Sequence, residues 1–391
     1  MDDGEDPGAR AAELHERAIA LREAGSLADA EVACREAVAI FEAVEGPSSP
    51  NLANALVEHG RLLEALDRLA EAGPPVDRAL AILYPILHPL LDGRDGDDGD
   101  GDGDGDGDGG TPPDDPAVVE ELVRLTVRAE AVRASTWRAS GLLSEAEMGC
   151  RRALALAEAR LPPGDLLLAE MLNGLGVVHK FQGRYDEAEP LYRRAFAILE
   201  PAGQQDDMAT LLHNLGGLAH ARGDHDAGEP LARRSVEMRE AAVGADHPAT
   251  AADRAAWGAL LEGQGRMVEA ERAYVEALAV FEQRLGPESL EAASALTALA
   301  SVLHARGALD DAERAYRRSL AIREAKLGPR HFDLAFTMNN LAMLLIDRGG
   351  RDEARALLER ARAVFSQALG ADHAHTLAIA SNIASLSDGT A

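Results

Sequence analysis

Two groups of residues in this chain have the types and spacing for chemistry. The first is an Asp/Gly run that ends in strict alternation at Asp108-Gly109. Alternate carboxylates followed by a glycine turn are how an EF-hand calcium loop opens, and Asp104, Asp106, Asp108 and Gly109 fall at that spacing. Such a loop closes on a bidentate Glu, but here the closing position falls on Asp115, and Pro112 and Pro113 interrupt the loop. No apolar residue occurs from Asp92 to Gly110, so the segment cannot build a core. It reads as a solvated, disordered linker over residues 92–116 rather than a calcium site.

The second group is the histidines, twelve in all. His213 and His220 lie seven residues apart, two helical turns, so they share a face but not one ion. His247, His331 and His373 recur in short segments between helices, where a turn or capping role is expected. His179 falls in a packing column, and His373 and His375 have no further ligands nearby in sequence. No metal or other cofactor is expected. Cys34 and Cys150 occupy the same packing column and read as buried thiols that do not pair, as in a reducing compartment. Carboxylate pairs are frequent but fall on solvated faces, and no nucleophile motif, phosphate loop or dinucleotide fingerprint occurs. These residues point away from an enzyme. The net charge of −28 opposes phosphate backbones and anionic membranes. The acidic first ten residues lack the pattern of a signal or transit peptide, and no apolar stretch is long enough to span a bilayer. A cytoplasmic location is the expectation.

What positions all of these residues is a repeat. Gly25, Asp67, Gly141, Gly183, Gly223, Gly265, Gly307 and Gly349 recur at spacings of 42, 74, 42, 40, 42, 42 and 42. The 74 is one period plus an insertion of 32 residues. Five residues after each anchor stand Ala30, Ala72, Ala146, Ala188, Gly228, Ala270, Ala312 and Ala354, and two further columns, seven before and twelve after, are also small throughout. Three small columns in register, at a period in this range, mean an array of stacked units. Hydrophobic content is 46% but aromatic content only 4%, so small apolar residues do most of the packing.

Each unit reads as a helical hairpin. Leu168, Met171, Leu172, Leu175 and Val178 form one helical stripe, Gly183 stops that helix, and Ala188, Leu191, Tyr192, Ala195 and Leu199 form the next. Pro190 is expected in or just beyond the first turn of that second helix. Segments such as Gly183-Arg-Tyr-Asp-Glu-Ala-Glu-Pro-Leu-Tyr-Arg-Arg-Ala195, Leu212-His-Asn-Leu-Gly216 and Leu285-Gly-Pro287 resemble tetratricopeptide repeats. The 42-residue period and the linkers Gly244-Ala-Asp-His-Pro248, Gly328-Pro-Arg-His331 and Gly370-Ala-Asp-His373 resemble the kinesin-light-chain-like subclass. The second repeat departs most, with Asp67 as anchor and Gly73-Pro-Pro75 after it. The resemblance implies an all-α fold, an α-solenoid in which stacked helix–turn–helix hairpins wind as a right-handed superhelix. About eight repeats and a C-terminal capping helix are expected. The organisation is an acidic tail (1–10), repeats one and two (11–91), the linker (92–116), repeats three to eight (117–370), and a capping helix and tail (371–391).

In such solenoids the first helices line the concave face, with outward residues ten, nine, six and three before each anchor. The candidate partner-binding residues on that face are Arg138, Asn173, Lys180, His213, Asn214, His220, Ser301, His304, Asn339 and Asn340. Asn suits the role because its amide both donates to and accepts from an extended peptide backbone. The family pattern favours Asn nine before the anchor, and only Asn214 and Asn340 match it, with Asn382 in the cap. Arg128, Arg138, Asn173 and Lys180 fall on adjacent hairpins, a small basic patch suited to an acidic peptide. The expected function is a non-catalytic scaffold that holds a peptide, helix or domain of a partner protein in the groove. The alternative is a regulatory subunit or peptide-responsive sensor. No nucleic-acid or membrane partner is expected.

Overall fold

The computed structural model of the chain describes residues 6–66, 68–92 and 115–388. Among them are seventeen α-helices and no strand. The chain divides into two compact units, Met1–Gly203 and Gln204–Ala391. The first holds four hairpins: α1 (Pro7–Glu23) with α2 (Leu27–Glu45), α3 (Pro50–Ala65) with α4 (Leu69–Asp92), α5 (Pro116–Ala139) with α6 (Leu143–Arg160), and α7 (Leu166–Phe181) with α8 (Tyr185–Ala202). The second holds four more: α9 (Gln205–Ala221) with α10 (His225–Val243), α11 (Pro248–Gly263) with α12 (Met267–Arg284), α13 (Leu290–Ala305) with α14 (Leu309–Leu327), and α15 (Asp333–Asp347) with α16 (Arg351–Leu369). It closes on the single helix α17 (Ala374–Asp388), the partial ninth copy. The architecture is an all-α solenoid.

Local chemistry sets where helices begin and end. Ser49 Oγ accepts from Asn51 N and Leu52 N at 3.1 and 3.3 Å, and Asp165 Oδ1 accepts from Leu167 N at 3.0 Å, so each satisfies donors at a helix start. At the α7 end, Gly183 has φ +73°, a conformation that lets Arg184 N donate to His179 O at 2.9 Å. The linker histidines are caps as well. His247, His331 and His373 each accept through Nδ1 from the backbone N–H two residues on, at 3.2, 3.3 and 3.2 Å. Pro190 stands at the sixth position of α8, beyond the first turn, and the helix continues through it.

The small columns are the core. Ala30, Ala72, Ala146, Ala188, Ala270, Ala312 and Ala354 are all fully buried. Tyr192, Tyr274 and Tyr316 fill the space that small neighbours leave. In the column twelve after each anchor serine replaces alanine twice, and each time its hydroxyl finds a carbonyl. Ser235 Oγ donates to Ala209 O at 2.9 Å and Ser319 Oγ to Ala293 O at 2.7 Å, so neither hydroxyl is stranded.

The insertion is partly helical. α4 and α5 each run for 24 residues, against 16 in α3 and α7, and take up Asp92 and Pro116, the two ends of the expected linker. Asp115, the residue that would close a calcium loop, instead caps α5 by accepting from Ala117 N at 2.9 Å. The rest of the Asp/Gly run and the Asp67 anchor lie outside the described residues. α4 and α5 are joined by a buried carboxylate. Glu130, 1% exposed, accepts from the Tyr84 hydroxyl, from Arg133 Nη2 at 2.7 Å and from Arg152 Nε and Nη2 at 2.8 and 3.0 Å.

Candidate functional site

In the first unit the first helices α1, α3, α5 and α7 enclose a pocket of about 560 Å³. Its wall includes Arg22, Arg61, Arg128 and Arg138, with Asn173 and Cys150 beside them and two carboxylates, Glu64 and Glu170. A smaller pocket of about 270 Å³ shares Arg22, Arg61 and Arg128, so the arginines form a stripe along successive first helices. The floor is made of small groups, Ala131, Gly174 and Val177, which leave room for an incoming chain.

The four guanidinium groups are unequally neutralised. Arg22 Nε donates to Glu58 Oε1 at 2.6 Å, and Arg61 stands 3.5 Å from the other oxygen of the same carboxylate. Arg128 lies 3.7 Å from Glu121. Arg138 donates only to a neutral group, Ser135 Oγ at 3.3 Å, and stacks over Phe181 with its carbon 5.5 Å from the ring centre. It has no carboxylate partner among the described residues. The Phe181 ring is itself exposed, an apolar surface beside the cation. The structure therefore brings Arg128, Arg138 and Asn173 into one pocket. Lys180 stands apart from its wall, half-buried, and burial lowers its pKa.

In the second unit most of the predicted groove residues bridge successive first helices. His213 Nδ1 on α9 stands 2.8 Å from Asp253 Oδ1 on α11. Ser301 Oγ on α13 donates to Glu262 Oε1 on α11 at 2.8 Å. His304 Nε2 lies 2.8 Å from Asp347 Oδ2 on α15. Asn382 Nδ2 on α17 donates to Asn339 Oδ1 at 2.9 Å, and Asn339 in turn reaches Asn340 Oδ1 at 3.4 Å. Asn214 is buried, while His220 is exposed with its ring 5.2 Å from that of His225.

Two arginines behind these residues, Arg239 and Arg323, escaped the sequence reading. Arg239, 8% exposed, donates from Nε to Asp253 Oδ2 at 2.9 Å and from Nη2 to Thr210 Oγ1 at 2.8 Å. It also pairs with the Asp206 carboxylate and donates to the Asp206 carbonyl at 2.9 Å. Burial favours the neutral form, and the hydrogen bonds that Arg239 donates to Asp253 and Asp206 outweigh it, so its pKa is raised. The signal was available: a charge sixteen residues after an anchor sits in a column that is apolar elsewhere, as at Phe41, Leu83, Leu199, Phe281 and Phe365. Among the described residues no group of three His, Cys, Asp or Glu side chains is placed to hold a metal ion, and no helix is long and apolar enough to cross a membrane.

No curated protein matches the chain at a significant level. Among solved structures it is similar to a Rap protein complexed with competence and sporulation factor, at 15% identity and TM-score 0.57, covering 97% of this chain and 98% of that one. It is similar to the apo form of RapI, at 15% identity and TM-score 0.56, covering 80% and 97%. A kinesin light chain with nearly identical TPR-like repeats from Podosopora anserina aligns at 21% identity and TM-score 0.44, over 54% of this chain and 99% of its own. One tetratricopeptide-repeat profile matches residues 10–84, 129–200 and 252–325, and a second matches 208–249 and 335–375. With hairpins, small columns and profile matches in the same register along most of its length, the chain belongs to the tetratricopeptide-repeat family.

Proposed function

We propose that the protein is an interaction scaffold whose first unit holds an acidic segment of a partner protein in the arginine-lined pocket. The observation that carries this reading is Arg138. It is a cation on a pocket wall, without a carboxylate partner among the described residues, in a chain of net charge −28. Arg128 beside it is paired only at 3.7 Å, and Arg22 and Arg61 share one carboxylate. A partner carboxylate entering here gains charge-assisted hydrogen bonds from planar donors, and Asn173 can hold the partner backbone. The exposed Phe181 ring offers an apolar contact at the rim. No step of chemistry is involved; the work is binding.

The test is affinity capture from source-cell extract with the whole chain, compared with an Arg128→Glu, Arg138→Glu double variant. The proposal expects the variant to lose the acidic partner while its circular dichroism stays that of the parent. An unchanged set of captured proteins sinks it.

A further inference from the structure

Arg239 and Arg323 occupy the same position in two repeats, sixteen residues after Gly223 and Gly307. Both are withdrawn from solvent, with side chains 8% and 13% exposed. Their surroundings differ in one respect. Arg239 meets two carboxylates and a hydroxyl, from Asp206, Asp253 and Thr210. In the register of Arg323 those three residues are Leu290, Thr337 and Ser294. The hydroxyl is kept, and Ser294 Oγ accepts from Arg323 Nη2 at 2.9 Å. Both carboxylates are gone. Asp333 stands 3.8 Å from Nη1 and is itself more than a third exposed, and Arg323 Nε, whose counterpart in Arg239 donates to Asp253, has no hydrogen-bond partner.

A buried guanidinium that is only partly compensated is costly, and Arg323 is such a group. It borders a pocket of about 440 Å³, walled by Arg323, Leu290 and Ser294 at one end. Most of the rest is apolar: Ala255, Ala259 and Ala298 with the rings of Tyr274 and Phe281. Alanine in these columns is what makes the space. Two carboxylates, Glu291 and Asp333, also line the pocket. They favour a ligand with one anionic group seated at Arg323 over one with charge spread along its length.

We propose that this pocket of the second unit is a binding site for a partner polypeptide that inserts one large apolar side chain among the alanines and places an adjacent carboxylate on Arg323, where Asp206 sits on Arg239. Burial lowers the Arg323 pKa against the pull of Asp333, in keeping with a cation short of counter-charge. The site is separate from the arginine stripe of the first unit and does not depend on it.

The probe is the peptide acetyl-Ser-Gly-Asp-Phe-Gly-Ser-amide, titrated into the whole chain by calorimetry or amide NMR. Saturable binding is expected, weakened at least tenfold by Arg323→Gln, by Ala298→Leu, and by exchanging Asp for Asn or Phe for Ala in the peptide. Leu290→Asp supplies the absent carboxylate from within. It is expected to raise the unfolding temperature and to abolish peptide binding together, a pair of effects that simple damage to the fold does not give. Equal binding of the Asp and Asn peptides, binding untouched by Leu290→Asp, or no binding to the parent overturns the proposal. So does saturable binding of 4-phenylbutyrate alone, which would make the pocket a site for small carboxylates rather than for a partner chain.

Discussion

Gly176 and Tyr192 are fitted to one another: a Cβ built on Gly176 would stand 2.5 Å from Tyr192 Cε1 and 2.9 Å from two further ring atoms. The same pairing recurs two repeats later, where a Cβ on Gly258 would stand 2.8 Å from Tyr274 Cε1. The glycine lets the two helices of a hairpin approach, and the tyrosine takes the volume that a side chain would need. Gly176→Ala gains roughly 1 kcal/mol in helix propensity but forces a fully buried ring to move. Overpacking of this kind costs about 1–3 kcal/mol, so a net loss on the order of 1 kcal/mol is expected. Urea unfolding followed by circular dichroism measures it. Gly176→Ala combined with Tyr192→Leu should cost less than the sum of the two single changes, because the leucine vacates the contested space. Strict additivity would mean that the two residues do not compete.

The buried carboxylate of Glu130 gives a larger effect. It is the common acceptor for Tyr84, Arg133 and Arg152, and it joins helices on either side of the insertion. Removing it leaves Arg133, which is mostly buried, with only the Asp77 carboxylate at 3.6 Å, while Arg152 is half-exposed and can turn to water. Breaking one partner of a buried ion pair costs about 3–5 kcal/mol, and the freedom of Arg152 places Glu130→Ala near the lower figure. Thermal unfolding is the measurement. A loss under about 1 kcal/mol, the range of surface pairs, would show that the carboxylate does not hold α4 to α5.

Acid should find a different residue first. Burial pushes the Glu147 carboxyl upward, but hydrogen bonds from Gln182, Arg184 and Arg151 outweigh it and hold the pKa down at about 2. An unfolded glutamate titrates near ~4.3. The folded value is the lower one, so the stabilisation is fully present above that pH and is lost as pH falls toward the folded pKa. Between those values the unfolding free energy of the parent should fall with acidification, and Glu147→Gln should flatten that part of the curve while leaving the slope above pH 5 alone. Parallel curves for the two proteins across the whole acid range would remove Glu147 from the explanation.

The hairpin register was legible because packing repeats: one small column explains Ala30, Ala146, Ala188 and Ala270 alike, and each is fully buried. The linker histidines were legible for the same reason, since His247, His331 and His373 cap their helices in the same way. The predicted groove residues were legible only as columns of the first helices. His213 finds Asp253, His304 finds Asp347 and Asn339 finds Asn382, partners 40 to 43 residues away on the next first helix. Such pairs depend on which residue the following repeat places opposite, and a column read one repeat at a time does not contain that. The arginines show the converse. Arg239 and Arg323 were readable as charges in an apolar column, but whether each is neutralised turns on Asp206 and Asp253 against Leu290 and Thr337, which only the stacked hairpins bring together.

The two cysteines give a final test, which separates burial from reactivity. Cys34 is fully buried with Sγ donating to Ala55 O at 3.3 Å, and Cys150 is 4% exposed although it lines the arginine pocket. Burial, with Glu58 near the first and Glu130 near the second, pushes each thiol up to about 12. Only the thiolate attacks a disulfide reagent, so at pH 8 both groups are almost wholly in the inert form. The folded protein should therefore release no thionitrobenzoate from Ellman's reagent on the minute timescale, and unfolding in urea should release two equivalents. As urea is raised, labelling should follow the loss of helical signal, because only opening of the hairpins exposes either sulfur. Fast labelling of Cys150 alone in the folded protein, found by peptide mapping, would mean that the pocket floor opens to reagents without unfolding, and the burial argued for that wall would be wrong.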